Sequence, residues 1–266
     1  MSKDLGGEAV WRTLIAIRAE SPLVHNVINF VAMDLAANVL LAVGASPVMA
    51  HAREEVAEMT AIAGALTINI GTLEPSWVEA MHLAIDRARQ LKRPWVLDPV
   101  GAGATSYRDG VLKALVKKRP TVVRGNGSEI LALQGKSAAR GVDSANQSVE
   151  ALDAARDLAK RTGGVVAVTG AVDYVTDGSR LAAVANGHVL MSRVTATGCA
   201  LSALVGAALA VEEDAFVGTL HALAIFGVAG EIAAQQADGP GSFRVRLLDS
   251  LSSLDKHGLA ERLRSQ

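Results

Sequence analysis

Four places in the chain combine polar residues with the ends of apolar runs: Asp98 in Val96-Leu-Asp-Pro-Val100, the segment Arg124-Gly-Asn-Gly-Ser-Glu129, Thr169-Gly170, and Thr195-Ala-Thr-Gly-Cys199. In open α/β sheets, ligands bind outside the carboxyl ends of the strands, so these are the first places to look for chemistry. The last is the most informative. A strand is expected to lead into the small-residue turn Ala196-Thr197-Gly198 and then into a long apolar helix. The backbone N–H groups and dipole of such a helix start favour an anion, and Gly198 lets the backbone approach a phosphate closely. Cys199 falls in the first turn, where a thiolate would be stabilised; the alternative is a small buried core residue, as most lone cysteines are. Asn126 and Glu129, three apart, share one face of a helical turn. Glu129 is suited to a Mg²⁺-bound water beside a triphosphate, or else to a capped surface helix with Asn126 or Ser128 at its start. Asp98 is the natural second carboxylate, its alternative being a loop cap.

Other signatures fail. In Gly101-Ala-Gly-Ala-Thr-Ser106 the third glycine of a dinucleotide fingerprint is replaced by Ser106, and there is no Gly-x₄-Gly-Lys-Ser/Thr loop. The six histidines lack metal-ligand spacing and read mostly as surface or strand-end residues, with His25 beside Asn26 a pocket candidate.

The elements that must position these residues alternate in type. Short β-branched or apolar runs are expected as strands at 23–27, 47–49, 66–70, 95–97, 121–124, 165–169 and 174–176, with weaker ones at 180–185 and 188–191. Helices are expected at 7–20, 29–43, 75–91, 107–117, 128–133, 148–161, 197–210 and 214–234, and a surface loop at 141–147. This pattern implies βα units around a mostly parallel sheet, closed by an antiparallel meander, in a single α/β domain over residues 1–266. Half of the 266 residues are apolar and the net charge is −1, which disfavours broad electrostatic binding of nucleic acid. Residues 197–211 and 30–50 are apolar but too short or too interrupted to span a bilayer. The single cysteine excludes an intrachain disulfide, and the charged N-terminal segment lacks the apolar core of a signal peptide; both fit the cytoplasm. Aromatics make up 3% of the chain, so a nucleotide base is expected to rest on aliphatic side chains.

Set in order, the segments resemble hydroxyethylthiazole kinases of the ribokinase-like superfamily. The match covers about residues 14–248 and includes Val24-His-Asn-Val-Ile-Asn29, Ala45-Ser-Pro-Val-Met-Ala50, Asn69-Ile-Gly-Thr72, Trp95-Val-Leu-Asp-Pro-Val-Gly101, Arg124-Gly-Asn-Gly-Ser-Glu-Ile130, Val168-Thr-Gly170, Asp173-Tyr-Val-Thr-Asp-Gly178, Thr197-Gly-Cys-Ala-Leu-Ser202 and Gly239-Pro-Gly-Ser-Phe243. The resemblance implies a ribokinase-like three-layer α/β sandwich and a homotrimer with active sites between subunits. It also implies phosphorylation of the alcohol of 4-methyl-5-(2-hydroxyethyl)thiazole by Mg-ATP, in thiamine salvage. Carried over by position, Asn26, Val27 and Met49 would line the thiazole pocket, with Gly71 and Ala196 beside it. Arg124, Thr169, Thr197 and Gly198 would meet the ATP phosphates, Asp98 and Glu129 would organise Mg²⁺, and Cys199 would stand where most of the superfamily has a catalytic aspartate. Ala196 departs from the glycine of many members. The alternatives are a hydroxymethylpyrimidine or sugar kinase of the same fold, a nucleotide-dependent dehydratase of hydrated nicotinamide, and a non-catalytic nucleotide sensor.

Overall fold

The computed structural model describes residues 5–135 and 144–264. Among the described residues, eight strands form one sheet in the order β2-β1-β3-β4-β5-β6-β7-β8. They are β1 (Leu23–Val27), β2 (Ser46–Val48), β3 (Ala65–Asn69), β4 (Trp95–Asp98), β5 (Val122–Asn126), β6 (Val165–Thr169), β7 (Asp173–Thr176) and β8 (Leu181–Val184). The pairs among β1 to β6 are parallel, whereas β6–β7 and β7–β8 are antiparallel.

Strand alternation sends neighbouring side chains to opposite faces, and each face carries its own core. On one side Val24, Val96, Val122 and Ala167 pack with α1 (Gly7–Glu20), α2 (Met33–Val43), α8 (Thr197–Val211), α9 (Ala215–Gln235), α10 (Pro240–Ser253) and α11 (Lys256–Arg262). On the other, Val27, Leu66, Leu97, Val123 and Val166 pack with α3 (Val56–Ile62), α4 (Pro75–Gln90), α5 (Ser106–Val116), α6 (Gly127–Ala132) and α7 (Ser144–Thr162). The result is a three-layer sandwich. Helix α9 is long and apolar enough to cross a membrane, but 78% of its most apolar window is buried inside the protein, which makes it a core helix.

Several expectations need correction. Residues 188–191 form no strand: Val189–Arg193 is a 3₁₀ helix capped by His188, whose ring nitrogen accepts from the Leu190 N–H. The chain leaves the sheet there because its hydrogen bonds go to helices and the C-terminal segment. Ala185 N–H donates to the Arg264 carbonyl, and Gly187 N–H to Glu231 Oε1. A 3₁₀ turn, not a strand, therefore leads into α8. Helix α2 starts at Met33 rather than near 29, since Asn29 Oδ1 takes the Ala32 N–H in a local turn. Of the expected loop at 141–147, residues 141–143 lie outside the described residues and 144–147 belong to α7. Helices α3, α10 and α11 were not anticipated; Gly239-Pro240 is the cap and first residue of α10. His221 is buried, not a surface group.

Candidate active site

The strands deliver Asn69, Asp98, Arg124 and Thr169 to a single edge of the sheet, the carboxyl ends of β3 to β6. Asn69 and Asp98 are register partners at the ends of β3 and β4. Helix α8 meets that edge with its N-terminus. Its cap, Ala196, holds φ 67°, a left-handed conformation rare for a residue with a Cβ, and offers no side-chain cap to the first N–H groups of the helix.

Asp98 is fully buried. Its Oδ2 accepts from Ser202 Oγ on α8 at 2.8 Å and lies 3.8 Å from Arg124 Nη1, while Oδ1 is buried with no hydrogen-bond partner. Burial, assisted by the Glu129 charge, pushes its carboxyl up to about 6, against the pull of Arg124, Ser202 and Asn69. Asp98 therefore does not cap its loop; it is a charge aimed into the site. Arg124 Nη2 donates to Thr169 Oγ1 at 2.7 Å, and a Cβ built on Gly198 would fall 2.8 Å from Arg124 Nη1. Only glycine lets the helix start sit against the guanidinium. Thr197 turns its hydroxyl back to the Val194 carbonyl at 2.6 Å, leaving its backbone N–H for an anion.

Cys199 lies beside these groups, and Asn29 Nδ2 reaches both its Sγ at 3.5 Å and Asn69 Oδ1 at 2.7 Å. The expected thiolate is not stabilised. Burial and the neighbouring Asp98 charge push the thiol up to about 11, outweighing the help from Asn29, Asn69 and Arg124. At neutral pH Cys199 is a thiol.

Glu129 completes a capping box on α6. Its Oε2 accepts from Asn126 N–H at 2.9 Å and Asn126 Oδ1 accepts from Glu129 N–H at 3.0 Å. Its Oε1 takes the Gly101 N–H at 3.0 Å, so Glu129 also ties the β4 loop to the β5 turn. Asn126, not Ser128, is the cap.

Arg124, Thr169, Thr197 and Gly198 share the wall of a cavity of about 560 Å³, which runs on past Asp173, Val189, Met191 and Leu223. Asp173 Oδ1 accepts from Gly170 N–H at 2.9 Å, and burial raises its carboxyl to about 6. Asn26, Val27 and Met49 stand apart on the β1–β2 side. Asn26 is fully buried, donates to its own strand at the Val24 carbonyl, and leaves Oδ1 without a partner. The Val27 side chain belongs to the core beneath α3 and α4, so only its backbone faces the edge. Met49 is half-buried and held from both sides: His51 Nδ1 donates to its carbonyl at 3.1 Å, and His25 Nε2 donates to the Ala50 carbonyl at 2.9 Å. Gly71 supports the other side for a steric reason. A Cβ there would lie 2.6 Å from Asn29.

Asn29, Asn69, Ser202 and Asp173 are site residues that sequence reasoning did not single out. Asn69 obeys the same rule that found Asp98, a polar residue ending an apolar strand.

The model of the hydroxyethylthiazole kinase family matches residues 14–257. The chain belongs to the hydroxyethylthiazole kinase family. It is 52% identical to "Hydroxyethylthiazole kinase" of Leptothrix cholodnii over 99% of this chain and 98% of that one. It is 54% identical to the protein of that name from Nitratidesulfovibrio vulgaris strain DP4, over 92% of this chain and 93% of that one. The structure of hydroxyethylthiazole kinase protein from Pyrococcus horikoshii OT3 superposes with a TM-score of 0.91 at 44% identity, covering 97% of this chain and 98% of that one. A Bacillus subtilis pyridoxal kinase solved as an ADP complex shares the fold, with a TM-score of 0.61 at 17% identity over 78% of this chain and 91% of that one. The fold is ribokinase-like, and the family is one of kinases.

Proposed function

We propose that this protein transfers the γ-phosphoryl group of ATP to the hydroxyethyl oxygen of 4-methyl-5-(2-hydroxyethyl)thiazole, with Mg²⁺, in the cytoplasm as part of thiamine salvage. The observation that carries the reading is the meeting of Arg124 and the uncapped start of α8 at the cavity wall. Asp98, with its unpaired Oδ1, and the Cys199 thiol stand immediately beside them.

Phosphoryl transfer depends mainly on positioning and on neutralising charge spread over the phosphate oxygens. The triphosphate is assigned to the cavity lined by Arg124, Thr169, Thr197 and Gly198, where the guanidinium and helix N–H groups meet the developing charge. The alcohol is assigned to the side of Asn26, Val27, Met49, Gly71 and Ala196. Cys199 stands between the two and orients the hydroxyl as a neutral thiol. A strong base is dispensable in a loose transition state. The orphaned Asp98 Oδ1 and the Glu129 carboxylate fit a hard cation that prefers oxygen ligands. Bound there, Mg²⁺ would offset phosphate charge.

The trimer is part of the same proposal. Phe30 (66% exposed) and Val31 (59%) follow Asn29, and Phe30 packs against Trp77 with tilted rings whose centroids are 4.5 Å apart. Apolar surface next to the alcohol side suits a second copy of the chain. Sedimentation at micromolar concentration should give three times the monomer mass.

The test is ADP release with Mg-ATP and hydroxyethylthiazole, run beside hydroxymethylpyrimidine, ribose and hydrated nicotinamide nucleotide. Release that depends on the thiazole, with phosphate found on its alcohol, supports the proposal. Turnover with another acceptor alone removes the thiazole assignment, and no release with any acceptor removes the kinase reading.

A further inference from the structure

Beyond the last rung of the β3–β4 ladder, where Ile70 N–H reaches the Asp98 carbonyl at 3.4 Å, no strand hydrogen bonds hold the two loops together. One side chain does. Arg108, in the first turn of α5, donates from Nη1 to the Ile70 carbonyl at 2.6 Å and to the Val100 carbonyl at 2.9 Å. Its Nη2 donates to the Gly71 carbonyl at 2.6 Å. The helix presents it there because Thr105 caps α5 and accepts the Arg108 N–H. A planar fork with fixed donor directions spreads its donors over two nitrogens to reach three carbonyls from two loops; an ammonium group has three donors, but on a single atom at the end of a flexible stem, and does not reproduce that spacing.

Each carbonyl belongs to a loop that carries site groups. The Gly71 peptide is held from both ends, its N–H by Asn69 Oδ1 at 3.0 Å and its carbonyl by Arg108. Asn69 Oδ1 is the same oxygen that accepts from Asn29, which in turn reaches Cys199. Val100 lies two residues past Asp98, and the next N–H, of Gly101, goes to Glu129. We infer that Arg108 is a positioning residue: its guanidinium sets the spacing between the loop that seats Asn29 and Cys199 and the loop that follows Asp98. None of its three hydrogen-bond acceptors lines the nucleotide cavity. This rests on the alcohol-side assignment proposed above.

The experiment compares wild type, Arg108→Met, Arg108→Lys and, as a control that trims the α4 core, Ile85→Val. The readouts are melting temperature, kcat, and KM for each substrate. Wild-type turnover with the thiazole alcohol is its own arm, so failure of the substrate assignment shows there independently of the variants. Both Arg108 variants are expected to lose about 10- to 100-fold in kcat/KM for the alcohol, the scale of a small misplacement of reacting groups. KM for ATP should stay within about twofold, and Arg108→Lys should be no better than Arg108→Met. Ile85→Val should lower the melting temperature and leave both KM values unchanged. Full alcohol-side activity in either Arg108 variant overturns the inference. So does a parallel fall in alcohol and ATP parameters that tracks melting temperature as in the control, which would make the arginine merely structural. Should Arg108→Met fail to fold, Arg108→Lys decides by the same criteria.

Discussion

Asp98→Asn is expected to make the protein more stable and much less active. In the folded chain the carboxyl titrates near 6, against an ordinary value of 3.8, because burial disfavours its charge. Roughly two units at 1.36 kcal/mol each give a ceiling of about 3 kcal/mol of instability at pH 8. Asparagine removes that charge but leaves Arg124 without its acid, so a net gain of about 1–2 kcal/mol is expected, since unpairing a charge has its own cost. For a chain of this size that raises the melting temperature by about 2–8 °C. The pH dependence follows from the same shift. A carboxyl whose folded pKa is raised binds its proton more tightly in the folded state. The stability from that proton is fully present below 3.8 and lost as pH rises through about 6. The wild type should therefore lag the variant at pH 8, draw level near about pH 5 and lead it slightly at pH 4. Activity should fall by about 10²- to 10³-fold, the scale of a lost charge contact in the transition state. Differential scanning calorimetry of the ligand-free proteins from pH 4 to 8, with ADP release measured at each pH, reads all of this. A variant that melts lower at pH 8, or a difference that widens toward pH 4, would refute the burial account of Asp98.

The other expectations are shorter. Cys199, the lone cysteine, should alkylate slowly with iodoacetamide at pH 7.5, and the rate should climb toward pH 11; a plateau below pH 8, followed by mass spectrometry, would mean a stabilised thiolate. Gly198→Ala pushes a methyl against the guanidinium of Arg124 and displaces it, so KM for ATP should rise at least about tenfold while stability changes by under about 1 kcal/mol; unchanged ATP kinetics would remove Arg124 from the phosphate site. Glu129→Gln keeps one acceptor for two backbone donors. It should cost about 1–2 kcal/mol and weaken Mg²⁺-dependent turnover by roughly 10- to 1000-fold; a lower melting point with normal Mg²⁺ titration leaves Glu129 as a helix cap only. Ala196→Gly relieves the left-handed backbone at φ 67° and should stabilise by about 0.5–1 kcal/mol after the extra freedom of glycine in the unfolded chain; a loss in thermal melts would mean that the methyl's packing outweighs the strain.

The sheet was legible because buried parallel strands are written as short apolar runs, and β1 and β6 match the expected boundaries. The first helix was equally plain, ending at Glu20 before Ser21-Pro22. The strand-end rule found Asp98 and Thr169 because each breaks an apolar run at the last residue of its strand, and Arg124 because it breaks the apolar run of β5 two residues before that strand ends. The same rule missed Asn69 because the apolar Ile70 extends the run by one residue past the ladder. Asn29 was hidden inside a stretch that reads as helix, since the Asx turn that delays α2 uses a side chain that is also compatible with helix. Arg108 was hidden more deeply. Its partners are backbone carbonyls, which every residue carries, so nothing in side-chain spacing marks them.

Cys199 shows where sequence reasoning weighed the wrong effects. A helix start favours a thiolate by at most about 1–2 kcal/mol. That benefit is local and visible in the sequence. The opposing effects come from burial in the third layer of the sandwich and from Asp98, a carboxylate brought alongside only by the register of β4 against α8. In a dry site a neighbouring like charge and lost hydration outweigh a partly screened dipole. The same two effects act on Asp98 itself, where Arg124, Ser202 and Asn69 offset them in part. The chain thus keeps one acid ionisable near neutrality and one thiol protonated within the same cluster, so under the proposed function negative charge for a cation at neutral pH would come from Asp98 and not from Cys199. Replacing Cys199 by a second carboxylate would set two like charges in one pocket, and one of them would hold its proton.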